Sequence, residues 1–517
     1  MTLSQHPPAP PMDIPLRIGS AEAFARVRQF CRDADFDDAT VCRALAVKEL
    51  HQADELDWAN VDLDTVADGL RWCIDVLFRG LPAPESQSRA ACGDAAFAAF
   101  FELGLLEMAR HRPDMVISPV WVYPVDDFLM VSDRRDNAAG ATAIAGDDVI
   151  FPGIDAGTVR FLHFMPDAGG GEALDLCGGC GVGALHAART ARYAATVDVT
   201  ARSTAFAEFN AHLNGMPIAS LCGDLYAPVE GRRFDLITAH PPYVPTYGRA
   251  YVFRDGGDSG EIIIRRIVEG LPAHLRNDGI AMLVCAGRDT ADEPFERRIV
   301  SWLGADAAEF DIVFGLIKTL TIEDVVASLQ SRSQPLTAEE ARTLRDRLAE
   351  LKTRQFSYGV LLLRRYGDPI NDSPLRIRTT KTTVPADLDR ILHWRAFRRQ
   401  AGFGPWLASA RPRFAPSTEL TARHIVQDNR LVPAELTFQA DGVFQSALRL
   451  DAWMVAVVAN CDGERSTMDI FDAARSGDEM PEAFTFEDFA NLIALMVEHS
   501  ILEIEHDARR GDLVGLQ

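Results

Sequence analysis

The sequence predicts an α/β protein: a doubly wound, seven-stranded Rossmann-like sheet, flanked by a mostly helical N-terminal domain and a winged-helix-like C-terminal domain. Three observations carry this prediction. From about Gly140 to Asp368, short apolar runs alternate with helical patterns. A glycine-rich turn, Cys177-Gly178-Gly179-Cys180-Gly181, joins one apolar run to an alanine-rich helical one. Before that region, apolar residues recur at helical spacing and give way to short β-type runs. The expected domains are residues 16–138, 139–368 and 386–517.

In chain order, Met1 to Pro15 reads as a floppy tail, without the basic-then-apolar layout of a secretory signal. Helices are expected over Ala21–Ala34, Thr40–Leu50, Asp64–Phe78 and Asp94–Arg110, followed by β-type runs at Val116–Ser118, Val120–Tyr123 and Phe128–Val131. Helices and then a hairpin suggest a winged-helix-like accessory unit. The central strands are expected at Glu172–Leu176, Ala194–Val199, Ser220–Gly223, Phe234–Ala239, Ile280–Ala286, Ala308–Phe314 and Tyr358–Arg364. A charged helix, Thr337–Thr353, precedes the last of them. Pro369–Pro385 is polar and Pro-containing, a plausible linker. Beyond it lie helical patterns at Leu450–Asn460, Thr467–Ala474 and Phe486–His499, and a wing-like strand at Ile501–Ile504.

The chain has 517 residues, 47% hydrophobic and 25% charged, enough for a full core and too many for one ordinary domain. No run of eighteen uncharged apolar residues occurs; the best stretch, Ala95–Met108, is interrupted by Glu102 and Glu107, so no membrane span is expected. Nine cysteines without regular spacing suit a reducing compartment, and a cytoplasmic location is expected. Cys177 and Cys180 could form a redox couple or half a zinc site, but no second Cys or His pair completes a metal site, and no metal is expected. The formal net charge of −23 repels phosphate backbones and disfavours a nucleic-acid partner, leaving a protein, peptide or small molecule.

The glycine-rich turn lets backbone approach a ligand closely and aims helix N-terminal amides at it. Ala184 stands where a dinucleotide fingerprint has its last glycine, a position that tolerates Ala, so NAD stays open on glycines alone. Asp198, about twenty residues past the loop, can take both ribose hydroxyls of a nucleoside cofactor, NAD or another.

Asp175 to Gly181 resembles the D-L-C-T-G-S-G loop of the HemK-like glutamine-amide methyltransferases, within the class I S-adenosylmethionine (SAM)-dependent superfamily. Asn210-Ala211-His212-Leu213-Asn214-Gly215 is similar to their N-x-x-x-N-G helix end, and Val131-Ser132-Asp133-Arg134 also matches the broader family. The resemblance implies SAM as cofactor, contacted by Asp175, Cys177, Gly178, Gly179, Cys180, Gly181, Asp198, Val199, Asp224, Leu225 and His240, with Asp224 against the adenine. It also implies that His240-Pro241-Pro242-Tyr243 is the catalytic substrate clamp: the prolines stiffen the turn and leave carbonyls pointing at an acceptor nitrogen, and the ring covers it. His240 departs from the family's Asn. Imidazole cannot reproduce the amide's paired donor and acceptor, but a neutral imidazole of ordinary pKa could serve as a base. Tyr243, Arg254 and Asp255 are candidate substrate contacts; turn and cap chemistry is the other reading of Arg254 and Asp255. The expected activity is methyl transfer to a nitrogen, or else an oxygen, of a protein or peptide side chain. The alternatives are a small-metabolite methyltransferase and a SAM-binding or peptide-recognition scaffold.

Overall fold

The computed structural model describes residues 14–110, 112–134, 148–245, 252–331, 336–370, 372–427, 429–477 and 480–504. Residues 1–13 of the expected tail, the domain boundary near residue 139, and Tyr251 lie outside them. The chain divides into two compact units, Met1–Phe310 with Lys318–Pro369, and Asp311–Ile317 with Ile370–Gln517. No helix among the described residues is long and apolar enough to cross a membrane.

Seven strands build the central region: β1 Glu172–Leu176, β2 Tyr193–Asp198, β3 Ala219–Cys222, β4 Phe234–Ala239, β5 Leu275–Thr290, β6 Phe310–Leu320 and β7 Thr353–Arg365. Within the first unit they lie in the order β7-β5-β4-β1-β2-β3. Neighbours from β5 to β3 run parallel, and β7 runs antiparallel to β5. Buried apolar side chains fill both faces of β1, β2 and β4, as a sheet covered by helices on each side requires. The connections from β1 lead one way to β2 and β3, while β4 and β5 lie on β1's other side. That reversal makes the C-terminal ends of β1 and β4 the switch point, where ligands bind in open α/β sheets.

The helix Ala201–Asn214 starts at Thr200, whose hydroxyl accepts from the Ser203 amide, and stops at Gly215 in the left-handed region. Its C-terminal half explains the Asn motif. Asn210 accepts from the Val131 amide and donates to the carbonyls of Val131 and Cys180, while Asn214 exchanges bonds with both backbone groups of Leu129. The two side chains thus hold the hairpin Trp121–Val125/Phe128–Ser132 against the helix. Asp133 takes the Arg202 guanidinium and the Ile150 amide, and Arg134 donates to the carbonyls of Leu77, Phe78 and Val120. The Ser-Asp-Arg motif is therefore structural mortar.

Three N-terminal helices differ from expectation. Thr40–Leu50 is realised as Asp38–Leu45 followed by a 3-10 turn from Leu50, and Asp64–Phe78 as Asp68–Trp72 followed by a π-type turn. The helix expected over Asp94–Arg110 ends at Glu102, because Gly104 turns the chain at φ 73° and Glu107–Ala109 pairs as a strand.

In the second unit the helices Pro385–Arg398, Phe403–Ser409, Ala452–Val458, Thr467–Ser476 and Phe486–Glu498 enclose a core that includes Leu407, Val458, Phe489 and Ile493. Arg395 is buried between Asp311 (2.7 Å) and Glu498 (2.6 Å). Thr418–Gln427, Arg430–Asp441 and Phe444–Leu450 form an antiparallel meander. The expected linker contains a strand instead: Leu375–Thr379 pairs in parallel with Val313–Leu316 of β6 and antiparallel with Phe444 and Gln445. A strand, Leu502–Ile504, lies within the expected Ile501–Ile504 and pairs with Pro412–Phe414; this pairing does not by itself make a winged helix.

Candidate functional site

Sheet register brings the motifs together. Leu176 of β1 lies between Val197 of β2 and Ala239 of β4, and Asp198 lies opposite Cys222 of β3. One residue past Leu176, Val197, Leu221 and Ala239, the residues Cys177, Asp198, Cys222 and His240 therefore emerge at the same edge of the sheet.

The glycine loop is held down tightly. A Cβ on Gly178 would lie 1.8 Å from the Thr196 hydroxyl, and one on Gly181, at φ 83°, would lie 2.8 Å from the Ala207 methyl. Above Gly179 there is nothing within 4 Å. The Gly179 amide donates to the Asp198 carboxylate at 2.9 Å, and the other Asp198 oxygen accepts from the Thr200 amide at 3.2 Å. Beneath the loop Asp175 accepts from the Thr238 hydroxyl at 2.9 Å. Burial, reinforced by the Asp198 charge, pushes its carboxyl up to about 7. The Thr196 hydroxyl is buried there without a hydrogen-bond partner among the described residues. Val199 is exposed and Leu225 buried beside the next strand tip. Asp224 is turned outward, paired with Arg266 at 2.7 Å. Burial raises the Cys177 thiol and pushes Cys180 up to about 11, so neither is a thiolate at neutral pH and a reactive couple is not what the loop presents.

The clamp follows β4. His240 is half-buried, stacked on Phe161 with ring centres 5.7 Å apart, and 6.0 Å from the Tyr243 ring. Desolvation pushes its imidazole down to about 4; nearby Asp155 opposes the shift and Arg160 adds to it. Desolvation thus makes this imidazole a weaker base than an ordinary histidine. Tyr243 continues to Tyr358 of β7, 5.7 Å away. Arg254 and Asp255 reach the clamp through backbone: the Val244 amide donates to the Arg254 carbonyl and the Gly256 amide to the Val244 carbonyl. The Asp255 carboxylate accepts from the Gly257 amide at 2.9 Å, closing a turn. The loop is anchored further on by Glu261, buried between Arg288 (2.9 Å) and Arg298 (2.6 Å).

Phe161, Arg160 and Tyr358 are additions to the sequence-predicted set. They come from the helix Ala156–Phe164 and the last strand of the sheet, and no motif marks them.

Residues 150–299 match the family described as the methyltransferase small domain. Over that stretch, which is less than half of the chain, the sequence is similar to methyltransferases. It is 31% identical over 191 residues to the ribosomal protein uL3 glutamine methyltransferase of Bradyrhizobium diazoefficiens, an alignment that spans 32% of this chain and 59% of that one. It is 33% identical over 123 residues to the release factor glutamine methyltransferase of Geobacter sulfurreducens, spanning 21% and 43%. Over 159 residues it is 27% identical to the ribosomal RNA small subunit methyltransferase C of Alcanivorax borkumensis, spanning 29% and 46%. Within residues 150–299 the aligned strand ends carry both the glycine loop and the clamp.

Proposed function

We propose that the chain transfers a methyl group from SAM to a nitrogen of a protein or peptide side chain. The observation that carries this reading is the register that lines up Asp198, the glycine loop and His240-Pro241-Pro242-Tyr243 at one sheet edge. The glutamine methyltransferases among the relatives support a side-chain nitrogen as acceptor.

Asp198 would hold the ribose, and the open face of Gly179 would let the cofactor lie on the loop, with Cys177, Gly178, Cys180 and Gly181 shaping it from below. Exposed Val199 and buried Leu225 would flank the adenine, and Asp224 would reach its amino group while sharing its charge with Arg266. Asp175 would support the loop from beneath. Bound SAM supplies an electrophilic methyl on a sulfonium. The prolines hold the clamp carbonyls toward the acceptor, Tyr243 covers it, and neutral His240 offers one N–H donor and one nitrogen acceptor. Because His240 is a weak base, the acceptor nitrogen must arrive neutral, with its lone pair free for in-line attack. In this reading residues 139–368 carry the chemistry, and 16–138 and 386–517 are accessory domains.

The experiment is to incubate cell extract with the protein and methyl-labelled SAM, and to locate label by mass spectrometry. Label on a peptide nitrogen supports the reading. Label confined to small metabolites or RNA contradicts it, and SAM bound without any S-adenosylhomocysteine formed favours a binding scaffold.

A further inference from the structure

The clamp's outer wall carries charge that the fold does not use. Arg160, one residue before the ring that backs His240, is half-buried; its Nη1 lies 3.4 Å from the Tyr358 hydroxyl and its guanidinium carbon 5.6 Å from the Tyr358 ring centre. Lys318 is exposed, and its Nζ lies 5.5 Å from the same ring centre. Tyr358 itself is buried, and its ring is the neighbour of Tyr243.

Neither cation has a carboxylate within ion-pair distance among the described residues. With 75 acidic against 52 basic residues, carboxylates are in excess, and surface arginines such as Arg345, Arg347 and Arg265 each meet one at 2.7–2.8 Å. Asp155, the acid that faces His240 and Tyr243, accepts from the Gly157 amide at 2.9 Å. Each cation lies 5.5–5.6 Å from the same ring centre, so an anion bound at that ring feels the field of both. The ring holds both cations in place by its π face but neutralises neither.

We propose that Arg160 and Lys318 form an anion-binding rim on Tyr358 that selects acceptors bearing a carboxylate beside the atom to be methylated. This rests on the methyl-transfer reading and narrows its substrate class to acidic peptides. Guanidinium and ammonium groups together suit a carboxylate, through a planar fork on one side and a point charge on the other. The chain's overall negative charge opposes acidic ligands at long range, so the selection is local and survives at physiological salt, where the screening length is about 8 Å.

The test uses the full-length protein loaded with S-adenosylhomocysteine, at physiological salt. Fluorescein-labelled peptides with a central glutamine flanked by glutamates, alanines or lysines are titrated by anisotropy, alongside N-acetylglutamine as a small carboxylic acid and a short oligouridylate. We expect the glutamate-flanked peptide to bind tightest, Arg160→Gln and Lys318→Gln each to weaken it about tenfold, and Lys318→Gln to leave the alanine-flanked peptide unaffected. Competition by N-acetylglutamine at the peptide's own concentration would assign the carboxylate to a small acid and overturn the peptide assignment. Equal binding of the three peptides, unchanged affinity in both variants, or preference for the oligouridylate would overturn the proposal. The same peptides are assayed for methylation. Methylation without acidic preference sinks the rim and spares the methyl-transfer reading; charge-dependent binding without methylation does the reverse.

Discussion

At Gly178 a single methyl group decides whether the cofactor loop can close. Its added Cβ would meet the Thr196 hydroxyl at 1.8 Å, whereas one on Gly179 would meet nothing. Gly178→Ala should therefore lift the loop and weaken SAM binding by tenfold or more, an energy of roughly 1.4 kcal/mol or above. Adding Thr196→Ala should restore part of the loss, since the nearest remaining clash disappears with the hydroxyl; equilibrium dialysis with labelled SAM reads both. His240 makes a second prediction. With its imidazole pushed down to about 4, the neutral form prevails throughout the range where a free histidine titrates, so kcat/KM should show no histidine limb near pH 6.5. Its effect on stability has the matching sign. Between the unfolded value and about 4 the unfolded chain binds the extra proton, so stability falls as pH drops through that window, and His240→Asn should remove that part of the fall in a thermal-melt series. The glycines and the Pro-Pro-Tyr segment stand out in the sequence because each is a short contiguous motif, and Asp198 because it ends the apolar run after the loop. Arg160, Phe161 and Tyr358 do not, since only the folded sheet brings their helix and strand to the clamp.

Elements show the same division. β1 and β4 run over the residues the apolar pattern predicts, because strands buried on both faces read as unbroken apolar runs. The meander from Thr418 to Leu450 went unread: every residue of Thr418–Gln427 is exposed or half-buried, so no alternation between core and solvent marks it. The helix Ala156–Phe164 was hidden by its length and by Gly157 near its start. The Asn motif was visible, but its purpose was not, because the backbone it satisfies belongs to a hairpin far away in sequence. Asn210→Ala would leave the Val131 amide and two carbonyls buried without partners. We expect a loss of about 2–3 kcal/mol, read from the urea midpoint at unchanged slope. A change below about 0.5 kcal/mol would show that the hairpin is held by its apolar face instead.

On the scale of the whole molecule, composition supplied the size class and the acidic balance, while the second unit needed coordinates. Its Asp311–Arg395–Glu498 network draws on residues more distant in sequence than any motif can span. The central claim is that strand ends far apart in the chain share one crevice, with the cofactor at β1 and β2 and the acceptor at β4. Calorimetric titration of SAM into the full-length protein, compared across wild type, Asp198→Ala and His240→Ala, tests it most directly. The account predicts one SAM per chain, a loss of roughly 10–100-fold in affinity for Asp198→Ala from removal of charge-assisted hydrogen bonds, and little change for His240→Ala. No binding by the wild type, or equal losses in the two variants, would contradict it.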